Sequence, residues 1–279
     1  MTSRLTRTRK FACSLAALWL CTVTTVATSD AVFNSRPPFV VFDGLLYQGK
    51  PDLSPLGMAP IRGINPPVTG NQPTDGVDDS EVQATLQVLQ GYRGVVYLDY
   101  EMWPTFHASA ATISQNIQKL VRVARLAHAS VPAAQFGFYN VIPCWDYWSL
   151  VKNDREKIKE WHNCNFRIDE LAHEVDIVMP SLYTYYNDPH GWDISAAELL
   201  RAARQYNKPV YAFLWPEFHV SNRLLRGKNV PGNFWRHELE FCRTRADGIV
   251  IWGGWQEQWD EHADWWRETK GFLEALKSR

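Results

Sequence analysis

Val95-Val96-Tyr97-Leu98-Asp99-Tyr100-Glu101 is the stretch from which the rest of the chain can be read. Its four leading residues are all apolar or aromatic and two are β-branched, which suits a short strand covered on both faces, as in parallel sheets. The run then ends in two acids separated by one tyrosine. Side chains alternate along an extended backbone, so Asp99 and Glu101 project to one side and Tyr100 to the other. Two carboxyls that close cannot both ionise freely, and one of them holds a proton near neutral pH. That is the state a general acid requires. The plainer alternative is a structural Asp bonded to loop backbone beside a solvent-facing Glu. An acidic pair at the end of a buried strand is costly to keep without a use, which favours chemistry.

Outward from this stretch, similar runs recur at residues 39–43, 59–64 (weaker), 135–142, 176–183, 209–215 and 248–252. Helical patterns lie between them at residues 79–90, 111–130, 167–173, 195–206 and 234–245, and a last one at 258–276 closes the chain. Strand and helix alternating about seven times predicts an α/β fold, a distorted TIM-like (β/α) barrel of about seven strands. A doubly wound open sheet is the competing architecture, but no Gly-rich phosphate loop follows the first strand. The Pro/Gly-rich segment 49–76 reads as loop around one short strand, with no repeat and no second domain.

The first residues call for separate treatment. Arg4, Arg7, Arg9 and Lys10 precede an apolar stretch over residues 11–26, which ends in Ala27, Thr28 and Ser29. This is the layout of a cleavable secretory signal over residues 1–29, leaving residues 30–279 as a single catalytic barrel domain. An uncleaved anchor is the alternative, but Thr22, Thr24 and Thr25 interrupt a stretch shorter than the ~20 apolar residues of a spanning helix. Removing the signal takes four basic and no acidic residues from a chain of net charge −1, which leaves about −5. No basic stripe for nucleic acid remains, and no membrane attachment is expected once the signal is gone. The mature chain is expected to be secreted or periplasmic, and a monomer.

Aromatic residues make up 13% of the chain, with 13 Trp among them. Such a density suits proteins that stack sugar faces on flat rings, although large rings also fill cores. Cys13 and Cys21 leave with the signal. Of the remaining three, Cys144 and Cys164 can close a loop, and Cys242, in an amphipathic helix pattern, is expected as a buried free thiol. His162, Cys164 and His173 lie near one another, but their spacing matches no zinc pattern. Neither a metal nor a cofactor is expected.

Chemistry in a barrel sits where the strands run out at their C-terminal ends. Besides the acidic pair, those ends carry Phe138-Tyr139-Asn140, Pro180-Ser181-Leu182-Tyr183, Leu214-Trp215 and Ile251-Trp252-Gly253-Gly254. One aromatic on a strand end is usually core. Several facing the same mouth as a carboxyl pair point to a sugar site.

In this order and spacing the pieces resemble the hyaluronidase family of retaining N-acetylhexosaminidases. Residues 96–103 (Val-Tyr-Leu-Asp-Tyr-Glu-Met-Trp) resemble its Asp-aromatic-Glu catalytic strand, and Phe138-Tyr139 ahead of Cys144 resembles its tyrosine followed by a disulfide cysteine. Pro180-Ser181-Leu182-Tyr183 and residues 248–253 resemble two further strands, the second with a pocket Trp. The resemblance spans roughly residues 94 to 256. It implies an endo-glycosidase acting on an N-acetylhexosamine-containing polysaccharide, with Glu101 as acid and then base and the substrate's N-acetyl carbonyl as nucleophile. Asp99 would share a proton with Glu101, Tyr139 and Tyr183 would orient the acetamido group, and Trp252 would wall its methyl. Trp215 and Trp145 are added from the residues themselves as stacking rings.

Two departures stand out. The segment between Cys144 and Cys164 has its own composition, with Trp145, Tyr147, Trp148 and Trp161, and no run of Arg or Lys marks a groove for a polyanion. Two other readings stay open at this point. One is a two-carboxylate barrel glycosidase that pairs Glu101 with Asp43, Asp146 or Glu217. The other is an inactive sugar-binding barrel.

Overall fold

Seven extended segments run parallel around a barrel in the computed structural model, which describes residues 37–65 and 76–278. Six are regular strands: β1 (Val40–Leu45), β2 (Met58–Ile64), β3 (Val95–Leu98), β4 (Gln135–Phe138), β5 (Tyr211–Leu214) and β6 (Gly248–Gly253). Their lateral order is β4-β3-β2-β1-β6-β5, which leaves β4 and β5 as the two edges. Residues 176–181 fill that gap. They bridge to Tyr139 on one side and to Val210 and Phe213 on the other. Backbone bonds run both ways across them, among them Asn140 N to Met179 O (3.0 Å) and Val178 N to Pro209 O (2.9 Å). Pro180 has no N–H to give a ladder, so this segment closes the barrel without forming a regular strand.

Alternation along the strands sorts the core into two layers. Val96 and Leu98 pack outward with Phe136, Phe138, Ile249 and Ile251 against the helices. Val95 points inward to Phe42, Ile61, Ile177, Met179, Phe213 and Val250, which fill the barrel. Because both faces are buried, the strands read as continuous apolar runs rather than as alternating ones. Two inward glycines make room for large neighbours. A Cβ on Gly63 would stand 2.3 Å from the Tyr97 ring, and one on Gly137 would stand 2.6 Å from Ile177 O.

The outer layer comprises α1 (Asp79–Leu86), α2 (Ala110–Ser130), α3 (Tyr147–Val151), α4 (Arg155–Arg167), α5 (Asp169–His173), α6 (Pro189–Arg204), α7 (Gly232–Arg245) and α8 (Asp264–Lys277). The longest, α2, starts where the Ser109 hydroxyl caps Thr112 N (3.1 Å). It buries Ile113, Ile117, Leu120, Val121, Ala124 and Ala127 along one stripe. Helix α6 begins six residues before the expected position, because Asp188 caps Gly191 N and Pro189 takes the first turn, where its missing N–H costs nothing. The last helix starts six residues later than expected, and α4 replaces a stretch the sequence left unassigned. Trp103, Trp161, Trp192, Trp235, Trp265 and Trp266 are all buried, so much of the tryptophan content fills the core rather than binding ligand.

The expected Cys144–Cys164 disulfide is formed, and Cys242 is a buried free thiol. With its sulfur bonded to Cys144, Cys164 is not available to a zinc site with His162 and His173. No described helix is long and apolar enough to cross a membrane. The expected leader, residues 1–29, lies outside the described residues.

Candidate active site

At the C-terminal ends of the strands a cavity of about 240 Å³ is lined by Tyr97, Asp99, Glu101, Tyr139, Tyr183, Phe213, Trp215, His219, Val220 and Trp252. Every one of these residues except His219 and Val220 follows from alternation. Counting inward positions past the last ladder bond gives Asp99 and Glu101 after β3 and Tyr139 after β4. It gives Tyr183 after the bridging segment, Trp215 after β5 and Trp252 at the end of β6. The acids stand just beyond β3 rather than within it, while Tyr100 turns outward and packs on Trp103 and Phe138.

The acidic pair is unequal in its surroundings. Asp99 is half-buried and Glu101 exposed. Burial first, and the neighbouring Glu101 charge second, push the Asp99 carboxyl up to about 6. A proton retained between the two adjacent carboxyls thus has a home on Asp99. Glu101 is held by Asn140, whose side-chain Nδ2 donates to Oε1 at 3.0 Å. Asn140 can do so because its backbone sits in the left-handed region (φ 55°), which turns the chain just as β4 ends.

The aromatic side of the cavity is a box. The Trp252 and Tyr183 rings lie 6.0 Å apart and nearly parallel, and Trp215 stands across them at 5.2 and 5.4 Å. The Tyr97 phenol shares the cavity lining with the Trp252 indole, and burial first, then the Asp99 charge, raise its pKa. Chain geometry allows this closeness only because Gly253 (φ 145°) and Gly254 (φ 77°) follow Trp252. A Cβ on the first would meet the Trp215 ring at 2.7 Å, and one on the second the Tyr47 ring at 2.3 Å. Tyr139 lies 5.8 Å from Tyr183, and its hydroxyl donates weakly to Ser181 Oγ at 3.4 Å. Burial raises both phenols far above the tyrosine range, with the Glu101 charge adding to it, so both stay protonated and able to donate.

Trp145 stands one ring outside the cavity, 5.0 Å from Tyr185. Tyr185 escaped the sequence reading although it shares the parity of Tyr183. Burial followed by the Glu101 charge raises its pKa. His219 and Asn140 were also missed, since neither lies in a pattern that spacing alone distinguishes.

The other carboxylates are occupied elsewhere. Asp43 accepts from Leu45 N (3.2 Å) and pairs with Lys50. Asp146 is the buried cap of α3, accepting from Ser149 N at 3.0 Å. Glu217 is buried under the mouth and accepts from the Tyr47 hydroxyl at 3.2 Å. Burial, then the Glu257 charge, push its carboxyl up to about 7. None of the three lines the cavity.

Among solved structures, crystalline bee venom hyaluronidase is similar, with a TM-score of 0.60 and 15% identity over 86% of this chain and 98% of that one. The same enzyme in complex with a hyaluronic acid tetramer gives a TM-score of 0.55 at 15% identity, over 86% and 97% of the two chains. The shared feature is the fold, a distorted TIM-like α/β barrel found among glycoside hydrolases. No protein-family model matches the chain, and no curated protein does.

Proposed function

We propose that this protein is a hyaluronidase-like glycoside hydrolase that cuts an N-acetylhexosamine-containing polysaccharide outside the cytoplasm, acting as a monomer and without metal or cofactor. The observation that carries this reading is the carboxyl pair. Among the described residues, Asp99 and Glu101 are the only carboxylates lining a cavity that is otherwise largely aromatic, and both come from one strand end. Two groups on one strand end cannot flank a sugar ring from opposite faces, as an acid and a protein nucleophile must. The remaining source of a nucleophile is the substrate's acetamido group, for which the aromatic box and the tyrosine hydroxyls are suited.

In the first step Glu101, protonated from the proton it shares with Asp99, gives that proton to the glycosidic oxygen. The acetamido carbonyl oxygen attacks the anomeric carbon as the bond to the leaving sugar breaks, forming a cyclic oxazolinium. Asp99, left as a carboxylate, faces the positive charge that develops. Tyr139 and Tyr183 fix the acetamide by hydrogen bonding, while Trp252 and Trp215 enclose its methyl and keep water from the ring. In the second step a water molecule gives a proton to Glu101 and its oxygen to the anomeric carbon, which reopens the acetamide with retained configuration. Asn140 keeps the Glu101 carboxyl aimed in both steps.

The test is hydrolysis of N-acetylated and de-N-acetylated versions of one oligosaccharide series by the parent chain and by Glu101→Gln, read by product mass. Cleavage of the acetylated series alone, abolished in the variant, supports the mechanism. Equal activity of parent and variant would remove Glu101 from the chemistry, and cleavage of the de-N-acetylated series would point to a protein nucleophile. Binding without cleavage by either protein would make the barrel a sugar-binding module.

A further inference from the structure

Beyond the cavity the cluster of aromatic rings does not stop. His219, in the cavity lining, stands 4.5 Å from Tyr185, which stands 5.0 Å from Trp145 and 5.8 Å from Tyr147. Tyr147 is itself buried and supports the cluster from below, touching Tyr186 at 5.6 Å, and Tyr186 touches Trp148 at 4.8 Å. Trp148 is 45% exposed, unusual for the largest apolar side chain. The rings come from three segments: residues 145–148, residues 185–186 and the loop after β5. The disulfide holds the first, and Asn222 Nδ2 donates to Tyr185 O at 2.6 Å, which joins the other two.

His219 adds a polar group of defined sense. Its Nδ1 lies 3.2 Å from Ser221 N, a group that can only donate, and 2.8 Å from Ser221 Oγ. Nδ1 is therefore an acceptor and the ring proton sits on Nε2, the nitrogen available to a ligand. Burial lowers the imidazole pKa and keeps the ring neutral. A neutral N–H donor beside flat rings suits a sugar hydroxyl or ring oxygen. Charge around the site argues in the same direction. Among the described residues the cavity lining holds two carboxylates and no Lys or Arg, and Arg223, Arg226 and Lys228 of the nearby loop are not part of it. Lys152 is placed over the Trp148 ring, 4.7 Å from its centroid. A sugar acid beside the cut bond would meet like charge without a cation to offset it.

Resting on the glycosidase reading above, we infer that His219 and the aromatic platform running from Tyr185 to Trp148 form an outer subsite for uncharged pyranose rings, so that the substrate is a neutral N-acetylhexosamine polymer rather than a uronate-containing one. The occupant is the continuation of the polymer held in the cavity, because the partly exposed Trp145, Tyr185 and Tyr186 and the exposed Trp148 follow the cavity wall outward over the buried Tyr147. Stacking supplies affinity along the platform, and the His219 N–H fixes the ring next to the cavity.

Equilibrium binding to the full mature chain carrying Glu101→Gln tests this. The probes are N-acetylglucosamine oligomers of two and six units and a hyaluronan oligosaccharide of six sugars. Going from two to six neutral units tightens binding by about tenfold or more, and the six-sugar uronate oligomer binds more weakly than its neutral counterpart. Adding Trp148→Ala removes about fivefold of the length gain and leaves the disaccharide unchanged. Adding His219→Phe, which keeps a ring but loses the donor, weakens the hexamer by about fivefold, and His219→Gln restores part of it. A hexamer no tighter than the dimer, or an inert Trp148→Ala, overturns the platform while leaving the cavity reading intact. A tighter uronate oligomer overturns the neutral class. Failure of every oligomer to bind, with none cleaved by the parent chain, defeats the cavity reading itself.

Discussion

At the base of the barrel Asp247 accepts from both terminal nitrogens of Arg204 (2.5 and 3.1 Å) and from Val210 N (2.8 Å). Asp176 is similarly engaged, by His128 Nε2 at 2.9 Å and by Phe136 N at 2.8 Å. At the mouth, Asp99 and Glu101 face a cavity with no Lys or Arg in its lining among the described residues, and Glu217 lies buried beside another glutamate. Both ends present acids next to strand termini. The base surrounds them with hydrogen-bond donors, and the mouth surrounds Asp99 and Glu217 with burial and like charge that oppose the charged form. Acids of the first kind tie strands to helices. The second kind weaken the fold and retain a proton that chemistry can use.

Removing an acid at the mouth should therefore separate activity from stability. Glu101→Gln is expected to lower the rate of hydrolysis by about 10²–10⁴-fold while its thermal midpoint stays with the parent's, as calorimetry beside a product assay would read. The opposite pattern is expected at the base. Arg204→Met leaves the cavity untouched and should destabilise by about 1–2 kcal/mol in urea titration, a loss trimmed by solvent at a partly open pair, with activity at low denaturant retained. If Arg204→Met instead abolished activity in the folded state, the division between the two ends would fail.

Asp99→Asn should combine both patterns, with a thermal midpoint higher by about 2–4 °C at pH 7 and hydrolysis markedly slower. Its origin also sets a pH dependence. Asp99 is raised from 3.8 to about 6 and Glu217 from 4.5 to about 7. Between those limits the native state binds more protons than the unfolded chain, so unfolding free energy falls as pH rises from about 4 to about 7. Urea midpoints measured across that range should decline for the parent and decline less for Asp99→Asn. A parent profile that climbed over the same window would contradict the assignment.

Much of this was open to the sequence because alternation does the placing. Once Val95-Val96-Tyr97-Leu98 is taken as a strand, the parity that sends Asp99 and Glu101 inward also sends Tyr100 outward. The same count finds Tyr139, Tyr183 and Trp252. Applied one step further it would have found Tyr185. His219 and Asn140 were illegible for a different reason. Their placement depends on a loop fold and on a left-handed backbone turn, and neither leaves a period in the sequence. The bridging segment 176–181 looked like any other strand, since hydrophobicity does not register the N–H that Pro180 lacks. The tryptophan count misled in part, because a ring in the core and a ring in a binding site are the same letter.

One consequence of the Cys144–Cys164 bond concerns maturation. The bond fastens residues 144–148 to α4, and with them the inner rings of the platform, but it touches neither β3 nor the acids beyond it. On the proposed reading, a chain folded without oxidation is expected to keep its chemistry and lose much of its grip on a long polymer. The thiol or disulfide state of this pair would then set, on that reading, how long a substrate the barrel can hold rather than whether it can cut one.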